Sequence, residues 1–437
     1  MGSRLFESAK AILLFSFTFF FILSPLPSSA QSEKPRLNVD QLVDEALQNN
    51  PEILAAKQKW EVFKEKVPQA RALPDPMFGF GIINLPTNFS FKDEDMTMKE
   101  FSISQMFPFY GKRKLMGEMA GKEAEAVFNE TQEKTNRIIR DVKAAYYDLS
   151  HVYRTTAVTQ RNKEILENFA KIAETKYSVG EGVQQDVLKS HVEVSKMVDD
   201  LIMLGQRKRA LEAKLKSLLN RPPETQVGEP EEVISRKLPI DIDEFQKTAV
   251  EVNPTLGAMK KMIEAKEKAY ALAKKEYYPD FNFKFAYGQR DNNPDNMKRR
   301  DMLTGMMELN IPLYFKWKQD RKVAETKADI LAAEAQYRAM KNEIFFMIAD
   351  MGSMTERVER QIDLYKTGII PQASLQVSSA LSAYRVNKVD FLTLLDSQMT
   401  LYKYELDYHQ ALTEYEKSVA NLEAAIGKQL FERGDRK

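Results

Sequence analysis

The sequence predicts a mainly α-helical chain that also carries membrane β-structure, built from one unit used twice, each copy holding one β-hairpin and one long helical hairpin. Three observations predict it: an internal repeat along nearly the whole chain, a period-two aromatic stretch in each copy, and very long helical tracts with few breakers.

The repeat is visible in matched residues. Leu37-Asn38-Val39-Asp40, Ala46, Asn50-Pro51 and Pro76 return in the second half as Ile240-Asp241-Ile242-Asp243, Ala249, Asn253-Pro254 and Pro279. Further on, Phe107-Pro108 matches Ile311-Pro312, Tyr177-Ser178-Val179-Gly180 matches Tyr384-Arg385-Val386-Asn387, and Leu219-Asn220 matches Ile426-Gly427. The copies occupy residues 31–220 and 241–427, with a linker at 221–240 and a tail at 428–437. Units of this kind bury their apolar faces by stacking on one another or on other subunits.

Composition narrows the function. Lys plus Arg (64) nearly equals Asp plus Glu (63), which argues against a nucleic-acid partner. Interspersed charge of this kind coats solvated helices. The lack of cysteine removes disulfides and thiolate metal sites, and three histidines offer thin material for a metal cluster. No Gly-rich phosphate loop, nucleophile elbow or paired-His helix is present, so no enzyme, cofactor or metal ligand is expected. His151 and His191 each read as isolated on long helices.

In chain order, Arg4 and Lys10 precede an apolar run from Ala11 to Leu23 and the small residues Ser28-Ser29-Ala30, which reads as a signal peptide over residues 1–30. Residues 38–66 and 241–276 have helical spacing, with Asp40 and Asp243 placed to cap them. The period then drops to two. Phe281, Phe283, Phe285 and Tyr287 alternate with Asn282, Lys284, Ala286 and Gly288; the partner strand sets Leu303, Met307, Leu309, Ile311 and Leu313 against Thr304, Glu308 and Asn310. Phe78, Phe80, Phe101 and Ile103 repeat the plan in the first copy. The hairpins cover about 76–108 and 279–313, and strands of about ten residues suit a tilted membrane crossing.

After each hairpin comes a helical tract, from about Gly111 to Tyr177 and from about Lys316 to Tyr384, each roughly 100 Å long if continuous. Ile138, Val142, Ala145, Leu149 and Val152 step by four and three, as do Ile344, Ile348 and Met351, then Val358, Ile362 and Tyr365, which marks a coiled-coil seam. Ala120, Ala124, Ala324, Ala328, Ala332 and Ala335 permit close helix approach. Gly368 and Pro371 are expected to kink or interrupt the second tract. Gly180 and Asn387 tolerate the left-handed turn into the return helices, where Asp186 and Asp390 are candidate caps.

Four strands cannot close a cylinder, and a bilayer forbids open sheet edges, so closure needs further copies: two chains give 8 strands and three give 12. Alternation then directs Phe78, Phe80, Phe281, Phe283, Phe285 and Tyr287 to lipid, and Asn282, Lys284, Glu308 and Asn310 to a water-filled lumen.

The order of elements, with Tyr177-Ser178-Val179-Gly180 and Asp186-Val187-Leu188 answered by Tyr384-Arg385-Val386-Asn387 and Asp390-Phe391-Leu392, resembles the TolC family of outer-membrane efflux channels. Ser104-Gln105-Met106-Phe107-Pro108-Phe109-Tyr110-Gly111 is similar to the strand-to-helix junction of members that serve heavy-metal exporters. The resemblance implies a homotrimer in the outer membrane of a Gram-negative bacterium, with a 12-stranded barrel continuous with an α-helical tunnel through the periplasm. It implies a passive exit duct for small molecules or metal ions, working with a periplasmic adaptor and an inner-membrane pump of RND type. A type I protein-secretion exit is the alternative within the class, and a periplasmic coiled-coil tether without a pore the alternative outside it. The family pattern carries over to Tyr384, Asp186 and Asp396 as gate residues, and to Val179, Gly180, Leu188, Val386, Asn387 and Leu395 as adaptor contacts. Val389 and Thr393 stand where that pattern has Arg and Asp, so an arginine-based lock is not expected. The chain has 20 methionines, several in or beside the hairpins; they read as apolar filler, with soft-metal binding as the alternative.

Overall fold

The computed structural model describes residues 36–232 and 237–431; the expected signal peptide, part of the linker and residues 432–437 lie outside the described residues. A short strand β1 (Arg36–Leu37) leads into α1 (Val39–Asn49) and α2 (Pro51–Arg71). Then come β2 (Met77–Ile83), β3 (Met98–Phe107), α3 (Lys112–Ser178) and α4 (Gln184–Leu218). β4 (Glu229–Pro230) pairs parallel with β1. The second copy follows: α5 (Ile242–Val252), α6 (Pro254–Lys275), β5 (Phe281–Gln289), β6 (Met302–Leu309), α7 (Gln319–Leu364), a π-turn (Tyr365–Ile369), α8 (Ile370–Arg385) and α9 (Phe391–Ile426).

The opening helical segment of each copy is two helices, divided at Asn50-Pro51 and Asn253-Pro254. Proline has no N–H to lose at a helix start, so each Pro begins a new helix while the preceding Asn caps it. Asn50 Oδ1 accepts from the Glu52 and Ile53 amides at 2.9 and 3.3 Å, and Asn253 Oδ1 accepts from the Leu256 amide at 3.1 Å. The same side chains donate to the ends of the return helices, Asn50 to Leu218 O at 2.8 Å and Asn253 to Ala425 O at 2.7 Å. Asp40 and Asp243 are not the caps of α1 and α5. Asn38 and Asp241, two residues earlier, hold those places because their extended backbones aim the side-chain oxygen at the free amides.

α3 runs unbroken for 67 residues, about 100 Å at helical rise. The second copy reaches the same length as α7, π-turn and α8 in one rod. Here the expected disruption takes a definite form: the Ile370 amide reaches Tyr365 O, five residues back, and this wider turn makes room for the ring of Pro371. The seam residues are core. Ile138, Val142 and Leu149 pack with Leu42, Ile53 and Leu215 in one cluster, and Ile344, Ile348 and Val358 with Leu256, Tyr415 and Leu422 in its counterpart. A third cluster, with Phe169, Met197, Phe391 and Tyr402, joins the two copies.

The two hairpins merge into one antiparallel sheet of order β2-β3-β5-β6, with β3 of the first copy beside β5 of the second. Its strands hold 7, 10, 9 and 8 residues, slightly shorter than the sequence pattern suggests. The loops between strands are tied together, Arg299 pairing with Asp95 at 2.7 Å and donating to Lys92 O at 2.9 Å. β2 and β6 are bare edges.

Candidate functional site

Register decides the faces of the sheet, because residues opposite one another point the same way. Phe80, Phe101, Tyr287 and Leu303 form one row, and Phe78, Ile103, Phe285 and Gly305 the next. Phe281, Phe283, Met307 and Leu309 extend this apolar side, on which Phe78, Phe80, Phe283, Phe285 and Tyr287 are exposed. The opposite side carries Glu100, Ser102, Ser104, Asn282, Lys284, Thr304 and Glu308. Two pairs join polar groups there, Lys284 with Glu100 at 2.9 Å and Asn282 donating to Glu308 at 2.7 Å, while Asn282 Oδ1 has no partner among the described residues. Asn310 lies past the end of β6 and accepts the Asp280 amide at 2.5 Å, so strand alternation gives it no face. Among the described residues no helix is long and apolar enough to cross a membrane.

The far ends of the helical hairpins form the second part of the site. Both turns have the same build: Gly180 (φ 79°) and Asn387 (φ 57°) take the left-handed conformation, and the Glu181 and Lys388 amides reach back to Lys176 O and Ala383 O at 2.8 and 2.9 Å. Val179, Val386 and Leu188 are exposed at 65, 62 and 58 %. Leu395 is not part of this surface. It is 4 % exposed and packs in the third core cluster, since the α9 face it occupies turns toward α3.

Tyr384, in the last turn of α8, is buried with its ring edge-on to Phe391 at 5.7 Å. Its enclosed hydroxyl has no hydrogen-bond partner among the described residues. Burial, then the nearby charge of Asp186, pushes its pKa up. Burial and the charge of Asp390 push Asp186 up in turn. Asp390 caps α9 through the Thr393 amide at 2.9 Å and is held below its ordinary range by the Thr393 hydroxyl and amide. Asp186 is no cap: it lies inside the first turn of α4, whose N-cap is Val183. Tyr384 and Asp186 are therefore brought together without a hydrogen bond. Asp396 is exposed on α9 and makes no ion pair with a described residue.

Lys176 is the residue that sequence reasoning missed. In the last turn of α3 and 8 % exposed, it donates to Asn387 Oδ1 and to Arg385 O at 3.5 Å, and its ammonium stands 5.1 Å from the Tyr384 ring centre. A cation from the first copy thus ties down the turn of the second. A lysine near a helix C-terminus was the available signal, but its partners follow from packing.

His151 is not isolated. It lies beside His409 of α9 in a small cavity with Arg154, Glu232 and Tyr408, and burial lowers both imidazoles, His409 to about 4. His191 instead pairs with Glu174 at 3.0 Å.

No curated protein sequence matches the chain significantly. Solved structures do. The outer-membrane channel OprN superposes with a TM-score of 0.77 at 17% identity, covering 90% of each chain. The outer membrane protein VceC from Vibrio cholerae gives 0.77 at 16% identity, covering 90% of this chain and 97% of that one. The MtrE outer membrane channel of Neisseria gonorrhoeae gives 0.73 at 15% identity, covering 91% and 95%. These likenesses show the shared fold. A family model described as outer membrane efflux protein matches residues 42–221 and 246–428, taking in both copies of the repeat. The chain therefore belongs to the outer membrane efflux protein family, channels of the outer membrane of Gram-negative bacteria whose helical bodies extend into the periplasm.

Proposed function

We propose that three copies of this chain form the passive exit duct of an efflux assembly, receiving small molecules or metal ions from an inner-membrane pump through a periplasmic adaptor. The observation that carries this reading is the four-stranded sheet with one aromatic face, one polar face and two unpaired edges. In lipid each unpaired backbone group costs several kcal/mol, so the edges must meet those of other copies. A ring of about eight strands has an interior that side chains fill, whereas twelve leave room for a solvated lumen. Glu100, Asn282, Lys284 and Glu308 line that lumen, and the aromatic face meets lipid.

The helices support ring closure independently. α3 is flanked by α2, α4, α6 and α9, whereas its counterpart α7 packs mainly on α6 and α9. Ala126 and Tyr147 of α3 are buried, yet Ala332 and Ser353, their equivalents on α7 in the register that matches Ile138 to Ile344, are exposed. The missing neighbours are α2 and α4 of the next copy, a head-to-tail contact that closes into a ring. At the tips, the Lys176, Tyr384 and Asp186 cluster holds the passage shut, and Val179, Gly180, Leu188, Val386 and Asn387 receive the adaptor.

The test is purification in detergent followed by native mass measurement and planar-bilayer recording. A trimer that conducts ions is expected. A water-soluble monomer that never conducts would overturn the reading.

A further inference from the structure

The strand-to-helix junctions carry a pattern that neither the duct nor its gate uses. In the second copy the chain leaves β6 through Ile311, Leu313, Tyr314 and Trp317, exposed at 67, 73, 76 and 78 %. Between and after the aromatic residues stand Lys316, Lys318 and Arg321, exposed and making no ion pair with a described residue. Asp320, the acid within this stretch, accepts the Tyr277 hydroxyl. In the first copy the corresponding corner holds Tyr110 at 90 % exposure, followed by Lys112-Arg113-Lys114.

This corner is rigid. Asp280 accepts the Phe109 amide at 2.7 Å and the Lys112 ammonium at 2.7 Å, while Phe109 stacks on Tyr278 at 4.5 Å with the Lys275 ammonium 5.6 and 5.5 Å from the two rings. The Trp317 and Lys318 amides both return to Tyr314 O at 3.0 Å, which fixes the second turn. The exposed side chains are thus displayed from a fixed frame directly after the last strand of the sheet.

Amphipathic rings beside free cations, at the edge of an apolar band, suit the headgroup level of a membrane leaflet. We infer that Tyr110, Tyr314 and Trp317, with Lys316, Lys318 and Arg321, form a collar that binds the anionic headgroups of glycerophospholipids in the periplasm-facing leaflet. The inference rests on the sheet's aromatic face meeting lipid. Leu309 ends the apolar row of β6, exposed Ile311 and Leu313 follow it toward the collar, and unpaired lysine and arginine complement phosphodiester charge.

The chain has two tryptophans, so Trp60→Phe leaves Trp317 as the single indole. The full-length assembled variant is reconstituted in phosphatidylcholine vesicles holding equal fractions of brominated phosphatidylglycerol or brominated phosphatidylcholine, and Trp317 fluorescence is recorded alongside ion conductance. Quenching by the anionic lipid about two-fold or more above that by the zwitterionic one is expected, falling to equality at high salt and in Lys316→Gln/Lys318→Gln/Arg321→Gln. Equal quenching by both lipids in a conducting sample overturns the anionic preference. No quenching by either in a conducting sample overturns the collar and leaves the duct standing, whereas no quenching together with no conductance removes the duct and the collar alike.

Discussion

A buried ammonium needs oxygens or a ring around it, and Lys176 finds these on the other copy of the repeat. Its link to Asn387 and Arg385 fastens the α3 tip to the α8 tip at the point where Tyr384 is enclosed. Replacing it with methionine keeps the volume of the stem and leaves the acceptors unpaired, at a cost of about 1–3 kcal/mol to the link. Lys176→Met is therefore expected to raise the single-channel conductance of the resting state several-fold, and Lys176→Arg to stay near the wild-type value. Indistinguishable conductance in wild type and Lys176→Met would remove Lys176 from the gate. Tyr384 and Asp186 could be named in advance because the resemblance to a channel family carried a gate pattern onto the turn motifs in which they sit. Lys176 could not, because its acceptors lie 209 and 211 residues away.

At the scale of elements, the two copies solve the same local problems with the same residues. Asn50 and Asn253 each satisfy backbone groups at two helix ends, capping a new helix and donating to a carbonyl at the close of a return helix. The contact between α3 and α9 has no such symmetry, and there His151 and His409 meet. The groups facing them are Arg154, Arg161, Arg207 and Lys417, against Asp148 and Glu232. An unfolded histidine takes its proton near the ordinary 6.5, whereas folded His409 waits until about 4. Between these values the unfolded chain binds more protons, so stability falls as pH falls and the loss is complete below about 4. With partial solvent access the loss is on the order of 1–2 kcal/mol per chain. Melting curves at pH 7 and 4.5 should show a smaller acid shift for His409→Gln than for wild type. An identical shift in both would assign the acid sensitivity elsewhere.

At the scale of the whole molecule, one chain leaves apolar surface exposed that the proposed ring would cover. α4 shows Leu188, Val192, Ile202 and Met203 to solvent, while its counterpart α9 has an equivalent flank covered by α3. Ile202, 67 % exposed in one chain, is expected to be covered by α7 and α8 of a neighbour, where an isoleucine contributes about 1.5–3 kcal/mol. Ile202→Asp should then leave helical content intact and abolish the trimer in detergent. A variant that remains trimeric would place that contact on another face. The sequence by itself determined the duplication, the hairpins, the long rods and the two sides of the sheet, because each is a periodicity or a turn signal acting over a few residues. Tertiary structure decided that the hairpins share one sheet, that Leu395 faces inward, that Asp186 caps nothing, that His151 has a histidine neighbour and that Lys176 holds the far turn. Those outcomes depend on which distant surfaces meet, and no local pattern along the chain encodes that choice.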